Sequence, residues 1–462
     1  MITTNQIVNS KTIFTRQQDY FRSGATLPID ARKKTLRKLR TLLQDHETVL
    51  NEAIYKDLRK SSFETYATEI GLIFDEINVQ LKSIKKWSRR TRVPTNMANI
   101  PGSSYIQPHP YGVSLVLGAW NYPYQLSLAP AIDALAAGNT VILKPSEIAP
   151  HSSNALAKLI NEHFPKELFT VIEGDVDVAS ELLELPWDKI FFTGSPRVGK
   201  IVMKAAAEHL SDVTLELGGK SPALISDALS MDVAAKRIIW GKFTNCGQTC
   251  IAPDYALVHE SVMDEMLLKF KEQIDEMYQS GQADEEYGRI INEEHFDRLV
   301  GYLNQGNIYT GGHHERADLW IEPTILTEVD ESASVMQEEI FGPILPVIPF
   351  SNWDEALEKV RSKPHPLATY VFSNRKSEQN KASDELQFGG MTINDTMQHI
   401  ANPNLPFGGV GNSGIGSYHG KWGFDAFSHY KSVQKKATWM DVPLKYPPYT
   451  SWKEKILRRI LK

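Results

Sequence analysis

The stretch K-I-F-F-T-G-S-P-R-V-G, residues 189–199, decides the fold. Residues 189–192 read as a short apolar strand, Thr193-Gly194-Ser195 as a turn, and Pro196 as the first position of a helix with Gly199 one turn inside it. A strand that runs through a glycine into a helix start is a ready phosphate site, because free backbone N–H groups and the helix dipole face the ligand. No G-x-G-x-x-G stands at this junction. From these residues alone Gly194 serves equally well as a plain tight turn.

Outward from this junction the chain alternates. Strands are expected at 113–117, 140–143, 169–172 and 213–217, with helices at 127–137, at 152–163 and around Ala179 and Val202. That order argues a parallel sheet covered by helices on both faces. A second alternating run follows, with strands at 223–226, 255–259, 345–349, 367–372 and 391–393 and amphipathic helices at 262–278 and 354–361. The fold class is therefore α/β, with two successive α/β domains, parallel-type sheets and a cleft between them. Upstream, residues 28–90 read as helical, with Leu36, Leu39, Leu42 and Leu43 at helical spacing, and the basic cluster 32–40 reads as a solvated face. Residues 93–112 bring four prolines and two glycines and read as an extended excursion.

At 462 residues, with 42% hydrophobic and 23% charged residues, the chain suits a soluble globular protein of two or three domains. A net charge of −6 offers no footprint for nucleic acid. Two cysteines make no disulfide framework, the opening M-I-T-T-N-Q-I-V-N-S lacks a signal-peptide pattern, and no apolar run is long enough to span a bilayer. A cytoplasmic setting is expected. No Cys/His ligand spacing points to a metal.

One of the two cysteines closes F-T-N-C-G-Q-T-C, residues 243–250. Sparing use of sulfur beside Gly247 and Gln248 suggests a thiol kept for chemistry, although a buried apolar filler is the plainer reading of either cysteine. Three residues assemble into one mechanism. The Cys250 thiolate attacks a carbonyl carbon, the Asn121 amide helps a backbone N–H hold the oxyanion, and the Glu216 carboxylate draws a proton from the water that hydrolyses the thioester. Lys144 and Glu147, at the end of a strand, either meet ribose hydroxyls or form a surface ion pair.

With these residues in hand the chain resembles an aldehyde dehydrogenase over essentially its whole length. The matching motifs are A-W-N-Y-P around Asn121, K-P-S-E at 144–147, F-T-G-S at 192–195, L-E-L-G-G-K-S-P around Glu216, G-Q-T-C ending at Cys250, E-E-I-F-G-P at 338–343 and P-F-G-G-V-G-N-S-G at 406–414, all in the family's order. The short N-terminus and the Y-P-P-Y at 446–449 are most similar to the class 3, or fatty-aldehyde, branch.

The resemblance implies Cys250 as nucleophile, Glu216 as general base and Asn121 in the oxyanion hole. It further implies Lys144 and Glu147 at the adenosine ribose, Gly194 and Ser195 at the pyrophosphate, Glu339 at the nicotinamide ribose and Phe341 against the nicotinamide, with Trp120, Gly199 and Leu217 also in the cofactor site. Cys246 inherits no role and is read as a structural thiol. The implied division is a Rossmann-like dinucleotide-binding domain (1–92 and 113–217), a catalytic domain (218–415), a small β oligomerisation module (93–112 and 416–441) and a tail (442–462).

The implied reaction is oxidation of a medium- or long-chain aliphatic or aromatic aldehyde to the acid, with reduction of NAD, NADP being tolerated, in a homodimer. Glu216 argues against relatives that hand the acyl group to coenzyme A. The alternative is a retired enzyme kept as a membrane-associated binding or structural protein, against which every expected catalytic residue type is present. In the tail, Trp452, Ile456 and Ile460 with Leu457 and Leu461 make an apolar stripe opposite Lys453, Lys455, Arg458, Arg459 and Lys462. Such a helix either docks on the protein, which is the favoured expectation, or lies on an anionic membrane surface.

Overall fold

The computed structural model describes residues 4–278 and 286–460, so Leu461 of the expected tail stripe, Lys462 of its basic face, and the first three residues of the opening segment lie outside it. The first sheet holds five parallel strands, Val113–Leu117, Thr140–Lys144, Phe169–Val171, Lys189–Gly194 and Asp212–Leu217. Helices Gln125–Ala137, Pro150–His163, Val176–Leu183 and Pro196–His209 connect them. Val113–Leu117 is laid down first, in the middle, and the next two strands go outward on one side and the last two on the other. Connections therefore leave Val113–Leu117 and Lys189–Gly194 in opposite directions, and a crevice opens at their carboxyl ends. Two residues from far along the chain, Gly414–Ile415, close the sheet by pairing antiparallel with Glu216 and Leu215.

The second sheet has seven strands in the order Asn307–Thr310, Thr324–Thr327, Ile344–Phe350, Tyr255–His259, Pro222–Ile225, Ala368–Phe372, Gly390–Ile393. All its pairings are parallel except that of the edge strand Asn307–Thr310. The two-sheet α/β reading of the sequence holds. A third, antiparallel sheet joins Thr91–Val93, Gly102–Pro110 and Ser428–Lys436, with the last two paired residue by residue along their full length.

Three features depart from the sequence expectations. A helix Thr4–Arg22 precedes the expected helical region, with Phe14 edge-on to Trp187 and the fully buried Gln17 donating to the carbonyls of Val141 and Lys166. Arg32 is not on a solvated face: it is buried and donates to the carbonyls of Thr26, Leu27 and Ala136. Its guanidinium lies at the carboxyl end of helix Gln125–Ala137, where the terminal carbonyls favour a cation. That helix stops at Gly138, whose φ of 103° is left-handed and whose missing Cβ leaves room for the Arg32 guanidinium, 2.7 Å from where it would stand.

In the tail, helix Ser451–Ile460 leaves Trp452 52% and Ile456 38% exposed. The side chain it buries is Lys453, whose ammonium donates to the carbonyls of Tyr446 and Pro448 at 2.8 and 3.0 Å. The apolar stripe is thus turned to solvent on its tryptophan side, against the docking expectation for a single chain.

Candidate active site

Helix Met231–Phe243 ends at a turn in which Asn245, Cys246 and Gly247 all have positive φ, at 54°, 54° and 70°. Three left-handed residues in a row are costly, and such strain persists only where neighbours enforce it. Here they do. The Asn245 N–H donates to Glu64 at 2.8 Å, and its amide donates to the carbonyls of Asn121 and Gln248 at 2.9 and 3.1 Å. The buried Gln248 amide donates to the carbonyls of Asn245 and Arg289 and accepts from the Ile291 N–H. A Cβ on Gly247 would stand 2.3 Å from the Gly342 carbonyl oxygen, so glycine there is a matter of space as well as φ. The result is a rigid loop presenting Cys250, with the backbone N–H groups of Cys250 and Ile251 directed at its sulfur.

Asn121 follows the central strand Val113–Leu117, and its amide donates to the Gln248 carbonyl at 3.0 Å, two residues from Cys250. An amide nitrogen carries two hydrogens, so one donor stays available. A second bridge joins the same two loops, Tyr122 to Thr249 at 2.6 Å between hydroxyls. Beneath them the fully buried Lys60 donates to Glu69 at 2.8 Å and to the Asn121 carbonyl at 3.3 Å. The other Glu69 oxygen accepts the N–H groups of Tyr124 and Gln125, at the start of helix Gln125–Ala137. Glu69 stands on a π-helical turn, Tyr66–Ile70, a distortion frequent near functional sites.

Glu216 sits near the carboxyl end of Asp212–Leu217, buried, with neither carboxylate oxygen hydrogen-bonded. Burial alone pushes its carboxyl well above the ordinary range. The Cys250 thiol is pushed up as well, by burial and by the carboxyls of Glu339 and Glu216, against the pull of the two backbone N–H groups. Proton removal from that thiol therefore needs a nearby base, and Glu216 and Glu339 are the carboxyls within electrostatic reach.

Across the cleft, Glu339 accepts the Gly219 N–H, and a Cβ on Gly218 would strike Glu339 Oε2 at 1.9 Å. Burial and Asp254 push the Glu339 carboxyl up to about 8 against Lys220 and Arg298. Lys220 fastens this segment, donating to Asp254 and to the carbonyls of Val335 and Glu338, and Arg298 holds the carbonyl of Ile340 at 2.9 Å. Phe341, at φ 51°, meets Trp120 edge-on with centroids 5.4 Å apart.

The remaining sequence candidates line the strand ends of the first sheet. Lys144 and Glu147 pair with each other at 2.8 Å, the lysine buried and the glutamate half-exposed. Ser195 caps helix Pro196–His209 by accepting the Val198 N–H. A Cβ on Gly199 would meet Leu217 Cδ2 at 2.7 Å, so the two hold helix to strand and Leu217 is their packing partner. A nicotinamide dinucleotide fits this set. Gly194 keeps bare backbone at the strand-to-helix junction, where a Cβ would strike the Phe192 ring at 2.5 Å, and Glu339 Oε1 is buried without a partner, as a ribose hydroxyl acceptor would be.

Sequence reasoning missed Lys60, Glu64, Glu69, Tyr122, Asn245, Lys220, Asp254 and Arg298, which position the named residues rather than react. Tyr122, Lys220 and Asn245 lie inside the quoted motifs and Asp254 four positions past Cys250, which was the available cue; Lys60, Glu64 and Glu69 carried none. Lys242 was missed too. Its ammonium is fully buried with no hydrogen-bond partner, and burial draws it down to about 8, with Asp254, Lys220 and Glu339 as its charged neighbours.

Comparison with known proteins agrees with this geometry. The profile described as the aldehyde dehydrogenase family matches residues 8–433. The chain is 46% identical over 433 residues to the 4,4'-diaponeurosporen-aldehyde dehydrogenase of Staphylococcus aureus, covering 93% of this chain and 94% of that one. It is 44% identical over 436 residues to aldehyde dehydrogenase family 3 member A2 of Pongo abelii, covering 94% and 90%. A solved structure described as the substrate-bound state of Staphylococcus aureus AldH superposes with a TM-score of 0.95 at 44% identity, covering 98% of this chain and 99% of that one.

Proposed function

The chain belongs to the aldehyde dehydrogenase family, on its class 3 side, and on that premise we propose the roles of its residues, its preferred substrate and its assembly. The observation that carries the assignment is the meeting of three segments. The Cys250 loop is tied to Asn121 through Gln248, and the unpaired, buried Glu216 is within electrostatic reach of the sulfur.

Cys250 adds to the aldehyde carbon as thiolate, its proton taken by a neighbouring carboxyl, and the developing oxyanion is held by the free Asn121 N–H and the backbone N–H of Cys250. A nicotinamide dinucleotide, held by Ser195, Gly194, Lys144, Glu147 and Glu339 with Trp120 and Phe341 at its nicotinamide end, would supply the hydride acceptor that turns the adduct into a thioester. Glu216 then deprotonates water, hydroxide adds to the acyl carbon, and collapse of the tetrahedral species releases the acid and restores the Cys250 sulfur as thiolate.

NAD is the favoured cofactor, with NADP tolerated. Glu147 opposes a 2′-phosphate by like charge, but Lys144, already paired to it at 2.8 Å, offsets part of that charge. The preferred aldehyde is medium- or long-chain aliphatic or aromatic; the Staphylococcus aureus relative is named for 4,4'-diaponeurosporen-aldehyde. A steady-state screen of aldehydes by chain length and aromaticity, with both cofactors, tests both readings: better kcat/KM for short aldehydes, or for NADP, would reject the respective one.

The three-stranded antiparallel sheet supports a homodimer, the segments 93–112 and 416–441 reaching a partner subunit; a monomer at micromolar concentration in sedimentation would reject it. Among the described residues no helix is long and apolar enough to cross a membrane. The exposed Trp452 and Ile456 beside Lys455, Arg458 and Arg459 support a cytoplasmic enzyme that touches an anionic membrane peripherally through its tail. Removing residues after Pro448 should abolish co-sedimentation with anionic vesicles and leave short-chain kinetics unchanged.

A further inference from the structure

We infer that Tyr418 is a positioning residue for the hydrolytic half of the reaction: its phenolic O–H donates to the Glu216 carboxylate and holds it oriented and ionised for taking a proton from water. The inference rests on the aldehyde-oxidising reading above. In the step concerned Glu216 gains the proton, the hydroxide oxygen bonds to the acyl carbon, the carbon–sulfur bond breaks and Cys250 leaves as thiolate. No redox change occurs, and Tyr418 keeps its proton throughout.

The sheet register places the two residues on one side. Glu216 lies opposite Thr193 on one neighbouring strand and opposite Gly414 on the other. Phe191 stands two residues before Thr193, so Phe191, Thr193 and Glu216 share a face. Tyr418, four residues past Gly414, sets its ring against Phe191 on that face, centroids 4.9 Å apart. It is fixed there by stacking on His419 at 4.0 Å and by reciprocal backbone hydrogen bonds with Phe407 at 2.8 and 3.2 Å.

Tyr418 is fully buried, yet its hydroxyl has no formed hydrogen bond, and neither do the two Glu216 oxygens or the Thr193 hydroxyl. Buried polar groups rarely stay unpaired, and an O–H and a carboxylate on one face of the sheet, each without a partner and coupled through their charges, are complementary. Burial, then the charges of Glu216 and Cys250, keep the phenol protonated, far above its ordinary range, so it is a permanent donor. The Gln125 amide beside it can donate to the phenol oxygen at the same time. Titratable groups coupled to the Glu216 charge include Cys250, from the loop after helix Met231–Phe243, and Tyr418, from the segment after Gly414–Ile415. The flanking strands contribute only Thr193 and Gly414, which carry no charge.

The test is Tyr418→Phe, which keeps the ring and removes the donor. Single-turnover measurements with NAD and an aldehyde the wild-type enzyme oxidises separate the burst of reduced cofactor from acyl-enzyme hydrolysis. The burst should keep its wild-type rate within about twofold, while hydrolysis slows and its acidic limb moves up by about one pH unit, the tenfold fall in ionised carboxylate at a given pH below the limb that a missing charge-assisted hydrogen bond implies. Phe407→Leu, which disturbs the same packing with the hydroxyl kept, should leave that limb where it is. An unmoved limb in Tyr418→Phe, a burst lost together with hydrolysis, or an equal shift in Phe407→Leu would each overturn the inference. The wild-type burst is a separate check on the activity itself, so a failure there is distinguishable from a failure of Tyr418.

Discussion

In the proposed mechanism Cys250 and Glu216 act on different half-reactions, and substitution should separate them. Cys250→Ala should abolish dehydrogenase activity and leave cofactor binding, followed by fluorescence titration, largely intact. Loss of a covalent nucleophile normally costs several powers of ten, so turnover above about a tenth of wild type would remove Cys250 from its role. Glu216→Gln should give a burst of reduced cofactor followed by slow turnover as the thioester accumulates. If stopped-flow absorbance shows the burst lost as completely as steady-state turnover, the carboxylate acts earlier, on the thiol. The raised Glu216 pKa fixes the sign of the pH effect: the base is the ionised form, so hydrolysis should climb with pH past the usual carboxylate range. The residues assigned to the chemistry were readable because each lies in a short motif of unusual composition. Their supports were not. Lys60 and Glu69 make a fully buried ion pair under Asn121, and a lysine or glutamate in a sequence reads as solvent-facing until a partner from another element is known.

At the scale of the element, most of the parallel strands were legible because strands covered on both faces are mainly apolar, and all five residues of Val113–Leu117 and of Thr140–Lys144 are indeed buried; the four-residue parallel strand Thr324–Thr327 was missed. The edge strand Asn307–Thr310 escaped for the converse reason, being mostly exposed and without alternation. Helix Thr4–Arg22 escaped because it buries Gln17 through two side-chain hydrogen bonds to carbonyls, which no apolar periodicity reports. Arg32 misled in the same way. Its role at the end of helix Gln125–Ala137 makes a prediction: Arg32→Ala leaves two buried carbonyls and a part-buried one without this donor and opens a cavity. The expected cost is about 2–4 kcal/mol. Differential scanning calorimetry should show the first transition lowered by several degrees, and an unchanged midpoint would show that the buried guanidinium contributes nothing net.

At the scale of the molecule, a buried cluster of Glu76, Asp133, Gln80 and His419 joins helices Gly71–Trp87 and Gln125–Ala137 to the segment that leads into Ser428–Lys436. Burial works to raise the Glu76 carboxyl, but hydrogen bonds and charge from His419, with further bonds from Asp133 and Gln80, outweigh it and hold the pKa at about 2. A depressed carboxyl stabilises above its unfolded pKa of about 4.3, and that contribution is lost as pH falls toward 2, at most about 3 kcal/mol in all. The stability gap between wild type and Glu76→Gln should therefore be wide at pH 7 and narrow at pH 3 in urea titrations; a gap independent of pH would mean that Glu76 acts through shape alone. The two domains could be anticipated from the alternation of strands and helices, but not that Gly414–Ile415 would return to the first sheet, since two residues carry no periodicity. That return has a consequence for synthesis on the ribosome. Cys250 emerges and can be buried in its loop while the strand bearing Glu216 still has a bare edge, because Gly414 and Tyr418 have yet to be made. Enclosure of the base therefore awaits a segment made long after the loop that holds the thiol.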